Sequence, residues 1–306
     1  MNKTQIINNI VCKSAPIDFE LQARAQHGFS KVELHLEKKD IENMTVIKKT
    51  FQNILNSELE VVGVHAPLYH KEELGTIVPE TILNSLDFRF TQILAQKIGC
   101  YYHKNIYVVL HVREPLIVLK QNIAEWKSII DYFRQSIIEF PNVIYTLENV
   151  TPTSEINTFV SGAQYENVEI CKALREYVND EYFYTTLDTC HLLTTQRVMT
   201  FLKSHGLLTS NTFSVEEAIK INVPYINNIH LSYVKNLGFF PNEHGIVHNL
   251  NEDISKQHLI NCLCSLKNTN INPFITLEVA EEHYDNPVNA YTQRNNIYVI
   301  LNEQNI

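Results

Sequence analysis

The sequence comprises 306 residues, of which 44% are hydrophobic, which is enough to bury a sizeable core. Its formal net charge of −9 at pH 7 offers no general electrostatic attraction to nucleic acids or anionic membranes. No stretch approaches about 18 consecutive apolar residues, which argues against a membrane-spanning helix. The first residues lack the apolar region of a signal peptide, and six scattered cysteines suit a reducing compartment, so a cytoplasmic protein is expected.

Strand-like and helix-like segments alternate along the chain. Apolar, β-branched runs predict strands at 6–12, 31–35, 61–65, 106–111, 143–148, 184–188, 226–231 and 274–279. Apolar residues at helical spacing predict helices at 18–27, 40–55, 79–98, 123–140, 168–178, 214–221, 254–266 and 289–301. This alternation predicts an α/β fold, a single (β/α)8 TIM barrel domain over residues 1–306. The alternative is an open doubly wound sheet, which the lack of a glycine-rich phosphate loop disfavours.

Six apolar runs, one in each of the last six predicted strands, finish on a histidine, an aspartate or a glutamate. These residues are His65, His111, Glu148, Asp188, His230 and Glu278. Because the carboxyl ends of parallel barrel strands meet at one face, we expect these side chains to converge there. One such residue alone is usually an ordinary solvated or hydrogen-bonded side chain, and His35 is interpreted in that way. Six strand endings of this kind predict a metal site.

The core of the predicted site is the carboxylate group, which we define as Glu148, Asp188, His230 and Glu278. Three carboxylates and one imidazole make an oxygen-rich ligand set suited to Mn²⁺, Mg²⁺, Co²⁺ or Zn²⁺. A second set, the histidine group, consists of His65, His111 and Glu148 and could hold a second ion. A third ion could be held by residues that follow the sixth and seventh strands, namely His191 and the run Asn242-Glu243-His244.

Longer connections follow the ligand-bearing strands and are predicted to form the loops of the active face. They span 66–78, 112–122, 149–167, 189–213 and 232–253. Among their residues, Tyr69 could shield a bound substrate from water, and Arg113 or Lys235 could bind a phosphate group of that substrate. These three side chains are the candidate substrate-binding residues of the loops.

The strand endings resemble those of the xylose-isomerase-like barrels, a superfamily that includes endonuclease IV and the sugar-phosphate isomerases and epimerases. The most specific segments are His-Ala-Pro at 65–67, Leu-Glu-Asn at 147–149 and Asp-Thr-Cys-His at 188–191. The resemblance covers most of the chain and implies a metal-dependent barrel enzyme, with a homodimer as one possible assembly.

In the nuclease branch of this superfamily, three zinc ions are bound. By resemblance, the histidine group would serve the first ion, the carboxylate group the second, and His191 with His244 the third. This chain carries Asn242 where the branch has an aspartate, and the amide oxygen is a weaker zinc ligand. The chain also shows no basic, aromatic-rich loop of the kind that a duplex-bending nuclease needs.

In the epimerase branch, one ion in the carboxylate group suffices. By resemblance, Glu148 and Glu278 would flank the reacting carbon, one removing and one returning the proton, while His191 would bind a substrate oxygen. All of these residues are present, so the preferred reading is an isomerase or epimerase acting on a small sugar or sugar phosphate, with nucleic acid not the expected partner. The alternatives are a zinc-dependent phosphodiesterase or AP endonuclease, and a binding protein with a vestigial site.

Overall fold

The computed structural model describes residues 1–68, 81, 83, 85–111, 116–151, 165–209, 211–234 and 245–305. Its strands form a closed barrel in which each strand pairs in parallel with the next, and the eighth pairs with the first. The strands are β1 Ile10–Ser14, β2 Lys31–His35, β3 Glu60–His65, β4 Ile106–His111, β5 Val143–Glu148, β6 Phe183–Asp188, β7 Ile226–Leu231 and β8 Phe274–Leu277. The predicted (β/α)8 architecture is confirmed.

Helices surround the barrel and lie before, between and after the strands in the chain. In the described part of the chain they span Lys3–Asn8, Asp18–Gln26, Met44–Asn56, Leu86–Tyr102, Leu116–Gln121, Ile123–Glu139, Glu166–Tyr177, Thr189–Ser204, Val215–Asn222, Asp253–Lys267 and Val288–Glu303, with a short 3₁₀ helix at Lys38–Asp40. Among these helices, none combines the length and the apolar composition that crossing a bilayer requires.

The structure corrects the first predicted strand. Residues 6–8 belong to a helix, because Asn2 and Gln5 form a reciprocal cap in which each side chain accepts a hydrogen bond from the other's backbone N–H. Ile6 is therefore buried from a helix, and β1 begins at Ile10. A run of apolar residues does not by itself distinguish these two ways of burying them.

The structure also corrects the predicted loop at 189–213. Thr189–Ser204 is a helix of 16 residues that starts directly after β6. Its N-cap is Asp188, whose carboxylate oxygen Oδ1 accepts a hydrogen bond of 2.6 Å from the backbone N–H of His191. His191 therefore lies in the first helical turn rather than on a loop, which fixes the position of its ring relative to β6.

Side chains alternate along the strands between two environments. Outward-facing residues pack against the helices in the main hydrophobic core, as Val108 and Leu110 of β4 do. Inward-facing residues form a second, small apolar cluster inside the barrel, made of Val11, Val62, Tyr107, Val109 and Ile144. Each of these precedes the last residue of its strand, so the apolar filling leaves the carboxyl end of the barrel to polar side chains.

Candidate metal centre

The structure brings six of the predicted ligands together in the two groups that the sequence analysis defined. In the carboxylate group, one ligand atom from each residue lies within 4.8 Å of the others, and the same limit holds for the histidine group. The pairing register explains this arrangement, because Glu148 lies beside His111 on β4 and Asp188 lies beside His230 on β7. Glu148 belongs to both groups.

Glu148 is enclosed by imidazoles. Its Oε2 lies 3.3 Å from His65 Nε2, 3.1 Å from His111 Nε2 and 3.4 Å from His230 Nδ1. Its Oε1 lies 3.3 Å from His191 Nδ1. Burial would raise the pKa of Glu148, but the neighbouring His230 and His111 outweigh burial and hold this pKa well below its usual range. The side chain is therefore a carboxylate, the form in which it can bind a cation.

Several buried nitrogen and oxygen atoms of this cluster form no hydrogen bond of normal geometry in the described part of the chain, although most of them lie within ion-pair distance of one another. They are both carboxylate oxygens of Glu148, Oε2 of Glu278, Nδ1 of His230 and both ring nitrogens of His111. Buried polar atoms in proteins are almost always hydrogen-bonded. Carboxylate oxygens and imidazole nitrogens are also the ligands that Zn²⁺, Mn²⁺ and Co²⁺ accept. The residues thus fit a divalent metal ion.

His191 is held by the end of β5. Its Nδ1 lies 2.8 Å from the backbone oxygen of Asn149, to which it donates a hydrogen bond. The Asn149 side chain accepts from the backbone N–H of Asp188 at 2.7 Å and donates to the backbone oxygen of the same residue at 3.0 Å. Asn149 therefore joins the ends of β5 and β6, which explains why an asparagine follows the glutamate in the Leu-Glu-Asn segment.

The electrostatic surroundings of His191 and His230 are similar. Burial would lower both pKa values, but nearby carboxylates outweigh burial. Asp188 and Glu148 raise the pKa of His191 to about 9. Glu33, Glu278 and Glu148 raise the pKa of His230 well above its usual value. The cluster thus attracts positive charge, which is the property that a cation site requires.

Glu33 is a site residue that the sequence analysis missed. This carboxylate is fully buried, and its Oε2 accepts hydrogen bonds from His230 Nε2 at 3.1 Å, Tyr107 Oη at 3.0 Å, Asn228 Nδ2 at 2.8 Å and Thr276 Oγ1 at 3.2 Å. Burial would raise its pKa, but His230 and then Lys13 lower it to about 2. The sequence did contain a signal for this residue, because Glu33 is a charged residue between Val32 and Leu34 in the middle of a predicted strand.

Lys13 and His35 extend the ring of polar strand ends to β1 and β2. Lys13 Nζ donates a hydrogen bond of 2.5 Å to Glu278 Oε1 and lies 3.8 Å from Glu33 Oε1. The His35 ring lies 5.5 Å from the ring of His65, centroid to centroid. Burial first, and then Lys13, lower the pKa of His35 to about 3. His35, which the sequence analysis interpreted as an ordinary solvated or hydrogen-bonded side chain, thus lies at the end of β2 beside the predicted ligand His65.

A cavity of about 400 Å³ opens next to these residues. It lies at the carboxyl ends of β1, β2 and β8, and its lining includes Lys13, Ser14, His35, Glu278 and Tyr284. Small-molecule sites in proteins commonly enclose between about 300 and 1,000 Å³. The cavity is therefore large enough for a small ligand in contact with one member of the carboxylate group.

Four predicted site residues lie outside the described residues. They are Tyr69, Arg113, Lys235 and His244. Asn242, which stands where the nuclease branch has an aspartate, also lies outside the described residues. Their assignments to substrate and metal binding stay predictions.

Comparison with known proteins gives structural matches. No protein-family model and no curated protein matches the sequence. A D-tagatose 3-epimerase-like protein is 17% identical, with 97% of this chain and 100% of that chain covered and a TM-score of 0.56. The IOLI protein with a binding zinc atom is 17% identical, with 96% and 97% covered and a TM-score of 0.53. The AP endonuclease, family 2, from Brucella melitensis is 12% identical, with 96% and 98% covered and a TM-score of 0.55.

Proposed function

Because the chain has the fold of the xylose-isomerase-like TIM barrels, we propose that it is a divalent-metal-dependent isomerase or epimerase of a small sugar or sugar phosphate. The observation that carries this proposal is the position of the carboxylate group beside a cavity of about 400 Å³, with Glu278 in its lining. A space of that size accommodates a small polyol, whereas a nucleic acid duplex requires an open and positively charged surface. The cytoplasmic location, the single domain and the possible homodimer all stay predictions.

The proposed proton-transferring pair is Glu148 and Glu278. A divalent ion held by the carboxylate group would act as a Lewis acid that polarises a substrate carbonyl and acidifies the neighbouring C–H bond. One glutamate, as carboxylate, then removes the proton from carbon, and the other, in its protonated form, returns a proton to the opposite face. The two side chains differ in access, since that of Glu278 is 18% exposed and that of Glu148 is fully buried.

Two neighbouring residues support this chemistry. Lys13 donates its hydrogen bond to Glu278 Oε1 and thereby restrains the carboxylate that lines the cavity. His191, anchored through Nδ1 by Asn149, is the proposed ligand of a substrate oxygen. Neither interaction depends on which sugar is bound, so both are expected for ketoses and for their phosphates.

A second candidate function is a zinc-dependent phosphodiesterase or AP endonuclease. The observation that favours it is the histidine group, whose ligand atoms lie within 4.8 Å of one another and share Glu148 with the carboxylate group. Two ions that share a carboxylate suit an in-line displacement at phosphorus. The match to a Brucella melitensis AP endonuclease, family 2, supports the same alternative. The net charge of −9 speaks against a nucleic acid substrate.

The experiment that tests the proposal combines metal content with product analysis. The protein is purified without chelator, its metal content per chain is measured by elemental analysis, and it is incubated with a panel of ketoses, aldoses and their phosphates. We expect one ion of Mn²⁺, Co²⁺ or Mg²⁺ and the interconversion of two isomers. Two or three zinc ions with cleavage of abasic-site DNA would replace the proposal by the second candidate, and bound metal without turnover of either substrate class would favour a binding protein.

A further inference from the structure

A carboxylate lies inside the closed barrel, one layer below the metal centre. The Glu33 side chain is 0% exposed, and its Oε2 accepts hydrogen bonds from residues of β4, β7 and β8. A buried charge is costly even when it is paired, and an apolar residue of similar volume often serves stability equally well. Stability alone therefore does not explain why a carboxylate occupies this position, and its place below the metal centre indicates a function there.

The hydrogen bond between Glu33 and His230 determines which ring nitrogen keeps its proton when the histidine becomes the neutral ring that a metal ion can bind. Because a carboxylate only accepts hydrogen bonds, Nε2 of His230, at 3.1 Å from Glu33 Oε2, carries the N–H. In the neutral ring the lone pair then lies on Nδ1. That nitrogen faces the carboxylate group, at 2.5 Å from Glu278 Oε2 and 3.4 Å from Glu148 Oε2.

We propose that Glu33 is a positioning residue of the metal centre, which holds His230 in the orientation and tautomer that present Nδ1 to the ion. This inference rests on the proposed metal-dependent function. A carboxylate that accepts the distal N–H of a metal-binding imidazole fixes the ring and makes the ligating nitrogen a stronger donor. Glu33 would act through His230 without touching the substrate.

The remaining partners preset the position of this carboxylate. Tyr107, Asn228 and Thr276 donate to the same oxygen that receives the histidine N–H, so Glu33 cannot turn away from His230 without losing several hydrogen bonds at once. Tyr107 reaches this place because residue 63 is a glycine, and a Cβ there would collide with the tyrosine ring. The hydrogen bonds are therefore built from four strands, β2, β4, β7 and β8, and depend on a glycine of a fifth strand, β3, before any metal binds.

The other carboxylate oxygen of Glu33 connects it, through Lys13, to a second predicted ligand, Glu278. Its Oε1 lies 3.8 Å from Lys13 Nζ, and the lysine donates to Glu278 Oε1. Glu33 thus restrains His230 by a direct hydrogen bond and faces the cation that restrains Glu278. Both of these ligands belong to the carboxylate group.

The test replaces Glu33 by glutamine in the full chain, since Glu33→Gln keeps the volume of the side chain and removes its charge. Affinity for Zn²⁺ and Co²⁺ is measured by competition with a chromogenic chelator, and the visible absorption spectrum of the Co²⁺ form reports the ligand field. We expect an affinity loss of about 10- to 100-fold and an altered Co²⁺ spectrum. Circular dichroism and urea unfolding establish that the variant is folded.

Two tyrosine variants provide a matched pair that does not depend on the folding of Glu33→Gln. Tyr107→Phe removes one donor to Glu33, whereas Tyr145→Phe removes a buried hydroxyl on the outer side of β5 that accepts from Gln92. Loss of one hydrogen bond corresponds to about a two- to tenfold effect. We expect Tyr107→Phe to weaken metal binding by that factor and Tyr145→Phe to leave metal binding unchanged.

The outcomes separate this inference from the proposed function. A folded Glu33→Gln that binds metal with wild-type affinity and an unchanged Co²⁺ spectrum overturns the positioning role and leaves the metal enzyme standing. If Glu33→Gln does not fold, equal metal affinities of Tyr107→Phe, Tyr145→Phe and wild type overturn it instead. A wild-type chain that binds no divalent metal overturns the proposed function and this inference together.

Discussion

Lys13 Nζ lies 2.5 Å from Glu278 Oε1, so the end of the first strand is hydrogen-bonded to a candidate ligand that follows the last strand. The two residues meet because β1 pairs with β8, with Cys12 beside Leu277 in the register. The geometry of Glu278 therefore depends on closure of the barrel. A lysine and a glutamate 265 positions apart in the sequence form one unit of the site.

We expect the loss of either proposed proton-transferring glutamate to stop turnover without unfolding the chain. Glu148→Gln and Glu278→Gln each remove a group that takes or gives a proton, and general acid–base catalysis contributes about 10²- to 10⁴-fold. Steady-state kinetics on the sugar identified in the substrate panel measures the loss, and circular dichroism checks the fold. Glu139→Gln, at an exposed carboxylate paired with Arg89, is the control and should keep full activity. Near-normal activity in both site variants would disprove the two-glutamate mechanism.

Removal of the Lys13 ammonium should destabilise the metal-free protein more than the metal-loaded protein. Lys13→Met removes the ammonium that faces both the buried carboxylate of Glu33 and the largely buried carboxylate of Glu278, and breaking a buried pair costs about 3 to 5 kcal/mol. A bound divalent ion supplies positive charge to Glu278 and should reduce this loss. Urea unfolding with and without Zn²⁺ measures the difference.

The control for that comparison is Lys172→Met. Lys172 forms an exposed ion pair with Glu169, and such pairs contribute about 0 to 1 kcal/mol. Its substitution should therefore change the free energy of unfolding little, with or without metal. The same loss of stability for Lys13→Met with and without Zn²⁺ would show that a bound ion does not compensate for the missing ammonium of Lys13.

Substitution of Gly63 by alanine should destabilise the fold by overpacking. The added Cβ would overlap the Tyr107 ring, which is enclosed in the barrel and hydrogen-bonded to Glu33. Overpacking of a filled core costs about 1 to 3 kcal/mol. Urea unfolding of Gly63→Ala measures the cost, and the double variant with Tyr107→Leu should recover part of it. A double variant that is no more stable than Gly63→Ala would mean that the ring is not the obstacle.

The stability of the protein should fall in mild acid partly because of a buried histidine pair away from the site. His248 Nε2 and His258 Nδ1 lie 2.9 Å apart. Burial first, and then the neighbouring His258, lower the pKa of His248 to about 3, and burial with Arg197 lowers that of His258 to about 4. The unfolded value is about 6.5. Stability from these neutral rings is therefore fully present above about pH 6.5 and is lost as the pH falls toward the folded values.

The measurement is the free energy of unfolding in urea between pH 7 and pH 4.5, in the presence of a chelator. His258→Gln should reduce the slope of stability against pH by at most about 1.4 kcal/mol per pH unit, the contribution of one group. His205→Gln, at an exposed histidine, is the matched control for the change of residue type, and its slope is the one against which that of His258→Gln is compared. Identical slopes for wild type and His258→Gln would refute the contribution of the pair.

Local sequence patterns predicted most of the strands because a strand's own residues carry its signal. The bounds of β2, β4, β5 and β7 agree with those expected from apolar, β-branched runs that stop at a polar residue. The helix Lys3–Asn8 was missed because it depends on the reciprocal cap between Asn2 and Gln5. The helix Thr189–Ser204 was missed because its N-cap, Asp188, was interpreted as a candidate ligand alone.

By itself, the sequence determined the alternation of strands and helices and the six polar strand ends that form the carboxylate and histidine groups. Each strand and each strand end is recorded in residues that are neighbours in the chain. Parallel strands then place all of these ends at one face of the barrel. Only the tertiary structure decided that Lys13, Glu33 and His35 lie against these predicted ligands. Their roles come from hydrogen bonds, ion pairs and ring contacts between strands distant in sequence, in particular across the closure of β1 on β8. No local pattern of apolar and polar residues records which inward-facing side chains will meet once the barrel closes.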